Sequence, residues 1–298
     1  MKKFILKLLA FALVPIAIYV YFLVIIPVPE ELYFCAYNKK MELLEKTPTP
    51  RVVFVGGSNL AFALDCKRVS DSLNIPVINT ALHAGMGFKF ILDDVATYLR
   101  KGDIVYVAPE YPHFFGQANG ESLTLPIVLK TTKYRKLHLL NWEQWKIFLK
   151  GIPELNKYAE VPSFSGYKST HFNEYGDEVY HLDQPGIEIP KPGFFDPTWI
   201  DEGFCKYFAE KLKEIEDMGC KVIVAPCACR QSLYDSQEKA ADLINQHLTK
   251  RGYPFNVHPS KHALPDSCAY DTDYHLNKQG VEIFTGIIIE ELKKEINQ

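Results

Sequence analysis

The sequence predicts a three-layer α/β/α fold with a mostly parallel central sheet, an N-terminal transmembrane helix and an insertion in the middle of the chain. Three observations predict it. From Arg51 onward, short β-branched runs alternate with amphipathic helical stretches. An almost unbroken apolar run extends from Leu8 to Ile26. Between about Gln117 and Pro197 the alternation is lost in a stretch rich in aromatics, proline and turn residues, read as an insertion or cap on the same domain. The 298 residues are 47% hydrophobic, ample for one globular core, with two domains possible.

Taken in order, Lys2, Lys3 and Lys7 precede the apolar run, which approaches the ~20 residues a helix needs to cross a bilayer. Pro15 interrupts it, which a membrane helix tolerates better than a soluble one. The lysines predict a cytoplasmic N-terminus and place the remainder outside the cytoplasm, periplasmic or extracellular. A cleaved signal peptide competes, but it requires a shorter apolar region and a small-x-small site, and no clear one follows. Residues 1–28 are therefore expected to be an anchor. Residues 29–50 are polar and helix-compatible until "TPTPR", and read as a stalk. Residues 51–298 form the domain. Within it "VVFVG", "PVINT", "DIVYVAPE" and "CKVIVAPC" read as strands. "CKRVSDSLN", "FKFILDDVATYLRKG", "WIDEGFCKYFAEKLKEIEDMG", "SLYDSQEKAADLINQHLTKRG" and "LNKQGVEIFTGIIIEELKKEI" read as helices.

Composition excludes some functions. The formal net charge of -3 gives no basic field for nucleic acid. No zinc-finger spacing, Walker loop, internal repeat or low-complexity tract occurs. The seven cysteines cannot form a complete intramolecular disulfide framework. "PCAC" has a metal-like or redox-like spacing, but small buried residues at a strand end account for it.

The chemistry is signalled by "RVVFVGGSNLAF". Ligands of open α/β sheets bind beyond the C-terminal ends of strands, where Ser58 lies. Gly56 and Gly57 permit a tight turn with backbone angles other residues avoid. A following helix would aim free N–H groups at the serine, which suits a nucleophile whose attack creates an oxyanion. An N-cap serine explains the same residues more simply. The best candidate base is His275 in "YDTDYHLNKQG", with Asp271 and Asp273 as candidate orienting acceptors. Those aspartates also suit a turn.

Together these blocks resemble the SGNH (GDSL-like) hydrolase superfamily, especially its membrane-tethered bacterial O-acetyl esterases and acetyltransferases, from about Arg51 to the end apart from the insertion. "VFVGGSN" resembles the first block and implies Ser58 as nucleophile. "VINTALHAGMG" resembles the second, whose glycine amide serves the oxyanion hole; Ala81, Ala84 and Gly85 are the candidates, Gly85 preferred, with His83 lining the pocket. The third block of the family carries a donating Asn, whereas "VAPEYPHF" here offers Glu110, which cannot donate when ionised. Asn59 and Asn173, the latter in "FNEYGD", are the substitutes. The fourth block is usually Asp-x-x-His; three residues before His275 stands Thr272, so Asp271 and Asp273 both stay open, Asp271 ahead.

The resemblance implies ester hydrolysis or acetyl transfer on O-acyl groups of an envelope glycan, without metal or organic cofactor. Two other classes stay open: a degenerate module that binds glycan without catalysis, and an accessory partner of a membrane-bound acyltransferase.

Overall fold

The computed structural model describes residues 2–157, 166–192, 196 and 198–296. Val52 to Val55 are all fully buried and form the centre of β1 (Val52–Gly56). A strand apolar on both faces needs a cover on both, which parallel sheets obtain from their crossover helices. The sheet is parallel throughout, in the order β2–β1–β3–β4, with β2 (Val77–Asn79), β3 (Ile104–Ala108) and β4 (Lys221–Val224). A two-stranded parallel pair, β5 (Cys229–Arg230) and β6 (Ala263–Leu264), lies apart from it. Two-residue strands carry no periodicity, and the sequence gives no sign of them.

The described helices are α1 (Lys2–Val20), α2 (Ala36–Lys46), α3 (Ser58–Ala61), α4 (Cys66–Leu73), α5 (Phe88–Ala96), α6 (Thr124–Thr131), α7 (Trp142–Gly151), α8 (Glu202–Asp217), α9 (Gln231–Thr249) and α10 (Lys278–Ile296). The expected strands and long helices of the domain fall where the sequence puts them, and the three-layer arrangement holds. Local signals set several ends. Asp65 accepts from the Arg68 amide at 3.0 Å to open α4, and Asp201 does the same for Phe204 at 2.9 Å in α8.

Two expectations need correction. The expected stalk is core: Tyr33, Phe34, Tyr37, Met41 and Leu44 are buried. Lys40 of α2 is buried too, and its Nζ donates to the carbonyls of Asn79 at 3.2 Å, Ala81 at 2.5 Å and Gly176. Burial pushes its pKa down to about 7. Lys40 thus binds the domain, while Lys39, Glu42, Glu45 and Lys46 of the same helix face solvent. At the N-terminus, among the described residues no helix is long and apolar enough to cross a membrane, so the expected spanning segment is unsupported by the fold. The side chains of Ile5, Leu6, Leu8, Leu9 and Ala12, which belong to that segment, lie outside the described set. Helix α1 ends at Val20 and continues as a π-turn, Tyr21–Ile25. Lys130 Nζ and the Tyr134 hydroxyl hold that turn, donating to the Phe22 and Leu23 carbonyls at 2.6 Å each.

The middle segment is more ordered than its composition suggests. It carries α6 and α7, the second opened by a capping box between Asn141 and Gln144. It then crosses back over the C-terminal edge of the sheet. The Glu178 amide donates to the Ala61 carbonyl at 2.9 Å, and Asp177 accepts from the Cys66 amide at 2.8 Å and from Asn79 Nδ2 at 2.9 Å. At the opposite edge, the buried Arg51 guanidinium grips Asp103 through two 3.0 Å bonds and also donates to carbonyls of Leu44, Thr47 and Tyr98.

Candidate active site

The strand order defines where a site forms. From β1 the chain moves to β2 on one side and then to β3 on the other. The crevice between the carboxyl ends of β1 and β3 is the topological switch point of this sheet. Ser58 follows β1 and Glu110 follows β3, so pairing of the two strands brings both residues to that crevice. Ser58 Oγ donates to Glu110 Oε1 at 3.3 Å, and the Asn59 amide donates to the same oxygen at 3.1 Å.

The glycines before Ser58 serve a different purpose from the one expected. Gly57 has φ -87°, an angle open to any residue. A Cβ there would lie 2.6 Å from Glu110 Oε1 and 3.1 Å from the Ala84 Cα. Glycine is required because a carboxyl and a neighbouring backbone come close, not because the turn is left-handed. The helix that follows is a single turn, Ser58–Ala61. Its Phe62 amide donates to the Ser58 carbonyl at 3.0 Å, so residues 58 and 62 share one face.

The Phe62 ring receives His275. The two rings stack with centroids 4.0 Å apart and planes 7° apart. His275 Nδ1 bonds Asp271 Oδ1 at 2.7 Å, and the Tyr167 hydroxyl donates to Asp271 Oδ2. Among the described residues nothing hydrogen-bonds His275 Nε2. Burial works to raise the Asp271 carboxyl, but His275 and the Tyr167 hydroxyl outweigh it and hold the group below its ordinary value. An ionised Asp271 keeps the proton on Nδ1 and leaves Nε2 as the basic nitrogen.

The loop geometry separates the two aspartates. The Tyr270 amide donates to the His275 carbonyl at 2.9 Å, and the His275 amide donates to Thr272 Oγ1 at 3.1 Å. This tight turn sets Asp271 beside His275. Asp273 is directed elsewhere: its carboxylate accepts from Arg230 Nε at 2.6 Å, and Arg230 also donates to the Pro190 carbonyl. Asp273 is therefore a tether between this loop, β5 and the middle segment, not an acceptor for His275.

The candidate oxyanion donors are displaced as well. Asn59 is buried with both ends of its amide in use, accepting from the Gly57 amide at 3.0 Å and donating to the Ala108 carbonyl at 3.1 Å. The Gly85 amide donates to His83 Nδ1 at 3.0 Å. Burial pushes His83 down to about 4, so its ring is neutral and available to accept. Asn173 organises its own turn, accepting from the amides of Tyr175 and Asp177 at 2.9 Å each. None of these three aims a free donor at Ser58.

Three residues of the site escape sequence reasoning. Phe62 had a usable signal, its four-residue spacing from Ser58. Tyr167 had none, because its partner Asp271 is far away in sequence within a region without periodicity. His181 Nε2 donates to the Leu276 carbonyl at 2.8 Å while Glu178 holds its Nδ1, which steadies the backbone next to His275. A cavity of about 670 Å³ lies to one side, lined by Leu64, Arg68, Asn173, Lys278 and Ile283 among others. Neither Ser58 nor His275 lines it.

Among the described residues no group of His, Cys, Asp and Glu could hold a metal ion, and Cys227 and Cys229 are free, buried thiols whose pKa burial raises. No protein-family model, no curated protein and no solved structure matches the chain.

Proposed function

We propose that the chain is a serine esterase or acyltransferase of the SGNH type, acting outside the cytoplasm on O-acyl groups of an envelope glycan. The observation that carries this reading is the His275–Asp271 pair, stacked on Phe62 one helical turn from Ser58, with Nε2 unengaged. In the proposed reaction Ser58 Oγ leaves Glu110 and donates to His275 Nε2. Oγ attacks the ester carbonyl, and its proton passes to Nε2 as the new C–O bond forms. The tetrahedral intermediate collapses, the C–O bond to the alcohol breaks, and His275 returns the proton to that alcohol. Water or a second hydroxyl then attacks the acyl-serine by the reverse sequence. Asp271 orients the ring and stabilises the imidazolium. No step calls for a metal or an organic cofactor.

Attachment to a membrane is part of the proposal. Phe4, Phe11, Leu13, Val14 and Ile16 of α1 are exposed, a costly arrangement in water. A membrane-bound acyltransferase is the proposed neighbour if transfer rather than hydrolysis is the outcome. The test is turnover of an aryl acetate. Ser58→Ala and His275→Ala should abolish it, and a serine-directed phosphonate should label Ser58 alone. Labelling elsewhere, or an active Ser58→Ala, overturns the reading.

One observation favours a second reading. Ser58 Oγ donates to Glu110 and not to His275. A glycan-binding module or accessory subunit with a retired catalytic site would show that arrangement. Glycan binding by a chain that turns over no ester and resists the phosphonate would support it.

A further inference from the structure

The oxygen that receives Ser58 and Asn59 is one half of Glu110; the other half is unused. Oε1 accepts both the Ser58 hydroxyl and the Asn59 amide, while among the described residues no hydrogen bond reaches Oε2. The side chain is buried, and among the described residues no lysine or arginine bonds it. We propose that Glu110 acts as a neutral carboxylic acid whose Oε2–H is the hydrogen-bond donor to the oxyanion, an inference that rests on the serine-esterase reading above.

The geometry divides the carboxyl in a way that fits a neutral acid. Oε1 takes both donors and Oε2 takes none, which places the proton of the neutral form on Oε2. Oε1 is within hydrogen-bond reach of Ser58 Oγ, so Oε2 of the same carboxyl can approach an oxygen on the carbon that Oγ attacks. As the Oγ–C bond forms, the carbonyl π pair moves onto oxygen and the Oε2–H bonds to it. Glu110 keeps its proton at that step; the proton that moves is that of Ser58, which goes to His275. A carboxylate in the same place would repel the developing charge.

The surroundings favour the neutral form. The titratable groups that act electrostatically on Glu110 or are acted on by it are Tyr33 in the turn before α2, Glu121 before α6, Cys227 after β4, and Tyr274 and His275 in the C-terminal loop. His113 lies on the following turn, and burial pushes it down to about 4. Burial is the largest influence on Glu110 and raises its pKa; the Asn59 amide, His275 and Ser58 oppose it in part. The site therefore supplies a donor where Asn59, Gly85 and Asn173 do not.

Glutamine mimics the neutral acid, with one acceptor and one donor. The experiment compares kcat on an aryl acetate against pH for the unaltered chain, Glu110→Gln, Glu110→Ala and Ser58→Ala, with melting temperatures as folding control. Glu110→Gln should lose ~10-fold and Glu110→Ala ~10²–10³-fold, the cost of one oxyanion donor. The unaltered chain should lose activity on the alkaline side as Glu110 ionises, and Glu110→Gln should lack that limb. Infrared difference spectra of the unaltered chain against Glu110→Gln at neutral pH should show the band of a protonated carboxyl, whatever the activity. A folded Glu110→Gln as inactive as Glu110→Ala, an alkaline limb that persists in Glu110→Gln, or absence of the band overturns the role of Glu110. An active Ser58→Ala instead overturns the esterase reading beneath it.

Discussion

Two buried carboxyls, at opposite ends of the same strands, are treated in opposite ways. Asp103 stands just before β3 and Glu110 just after it. Asp103 has each oxygen bonded to the Arg51 guanidinium at 3.0 Å, and Oδ2 also accepts from the Arg100 amide at 2.9 Å. Its charge is matched and its lone pairs are in use. Glu110 is also buried, yet its partners are a hydroxyl and an amide, and among the described residues no hydrogen bond reaches its second oxygen. Burying a charge without a counter-charge is costly, so a fold retains such a group where something besides stability needs it. The lower edge of the sheet is a clamp between opposite charges; at the upper edge, among the described residues, the carboxyl is bonded by no lysine or arginine.

That contrast can be broken, the largest effect being expected at the upper edge. Ser58→Ala or His275→Ala should reduce kcat by several orders of magnitude, since triad members act as a unit, with little change in melting temperature. Asp271→Asn should cost about 10⁴-fold in rate by leaving His275 in the wrong tautomer. Equal rates for Asp271→Asn and the unaltered chain would mean that His275 works without this carboxylate.

The lower edge should answer in stability instead. Arg51→Met removes one partner of a fully buried pair and should cost about 3–5 kcal/mol, read by denaturant unfolding, while the folded fraction keeps its rate per molecule. A fall in rate with no loss of stability would erase the distinction between the two edges. Asp273→Asn should cost about 1–2 kcal/mol by releasing Arg230 and leave the rate near normal.

The smallest effect sharpens the comparison through pH. A carboxyl whose folded pKa lies above its unfolded value costs stability as pH rises through and beyond the unfolded value, here 4.5 for Glu110. Glu110→Gln should therefore melt progressively higher than the unaltered chain as pH rises above that value, and match it below. For Asp271 the shift has the opposite sign: its contribution is present above the ordinary 3.8 and is lost as pH falls below it. A Glu110→Gln difference that does not change with pH would show that Glu110 does not titrate between the folded and unfolded states.

Much of the scaffold was legible because it is local. Strand β1 is a run of four β-branched or aromatic apolar residues, and α8 shows its burial at Phe204, Cys205, Phe208 and Leu212 with helical spacing. The stretch from Pro29 to Lys46 misled because a buried lysine with three carbonyl partners has the same letter as a solvated one. The middle segment misled because its contacts are with distant parts of the chain, such as Tyr167 with Asp271 and Asp177 with Cys66.

The sequence by itself determined the alternation of strands and helices, the parallel sheet between two helical layers, and the position of Ser58 at a strand end and His275 before the last helix. Periodicity and strand-end placement depend on neighbours a few residues apart, so they are written in order along the chain. Only the tertiary structure decided which aspartate meets His275, why Gly57 must be glycine, and that Glu110 rather than Asn59, Gly85 or Asn173 faces the serine. Each of those depends on where a side chain from another element arrives. The choice between Asp271 and Asp273 is made by Arg230, and the need for Gly57 by Glu110, which strand pairing brings in across a long separation in sequence.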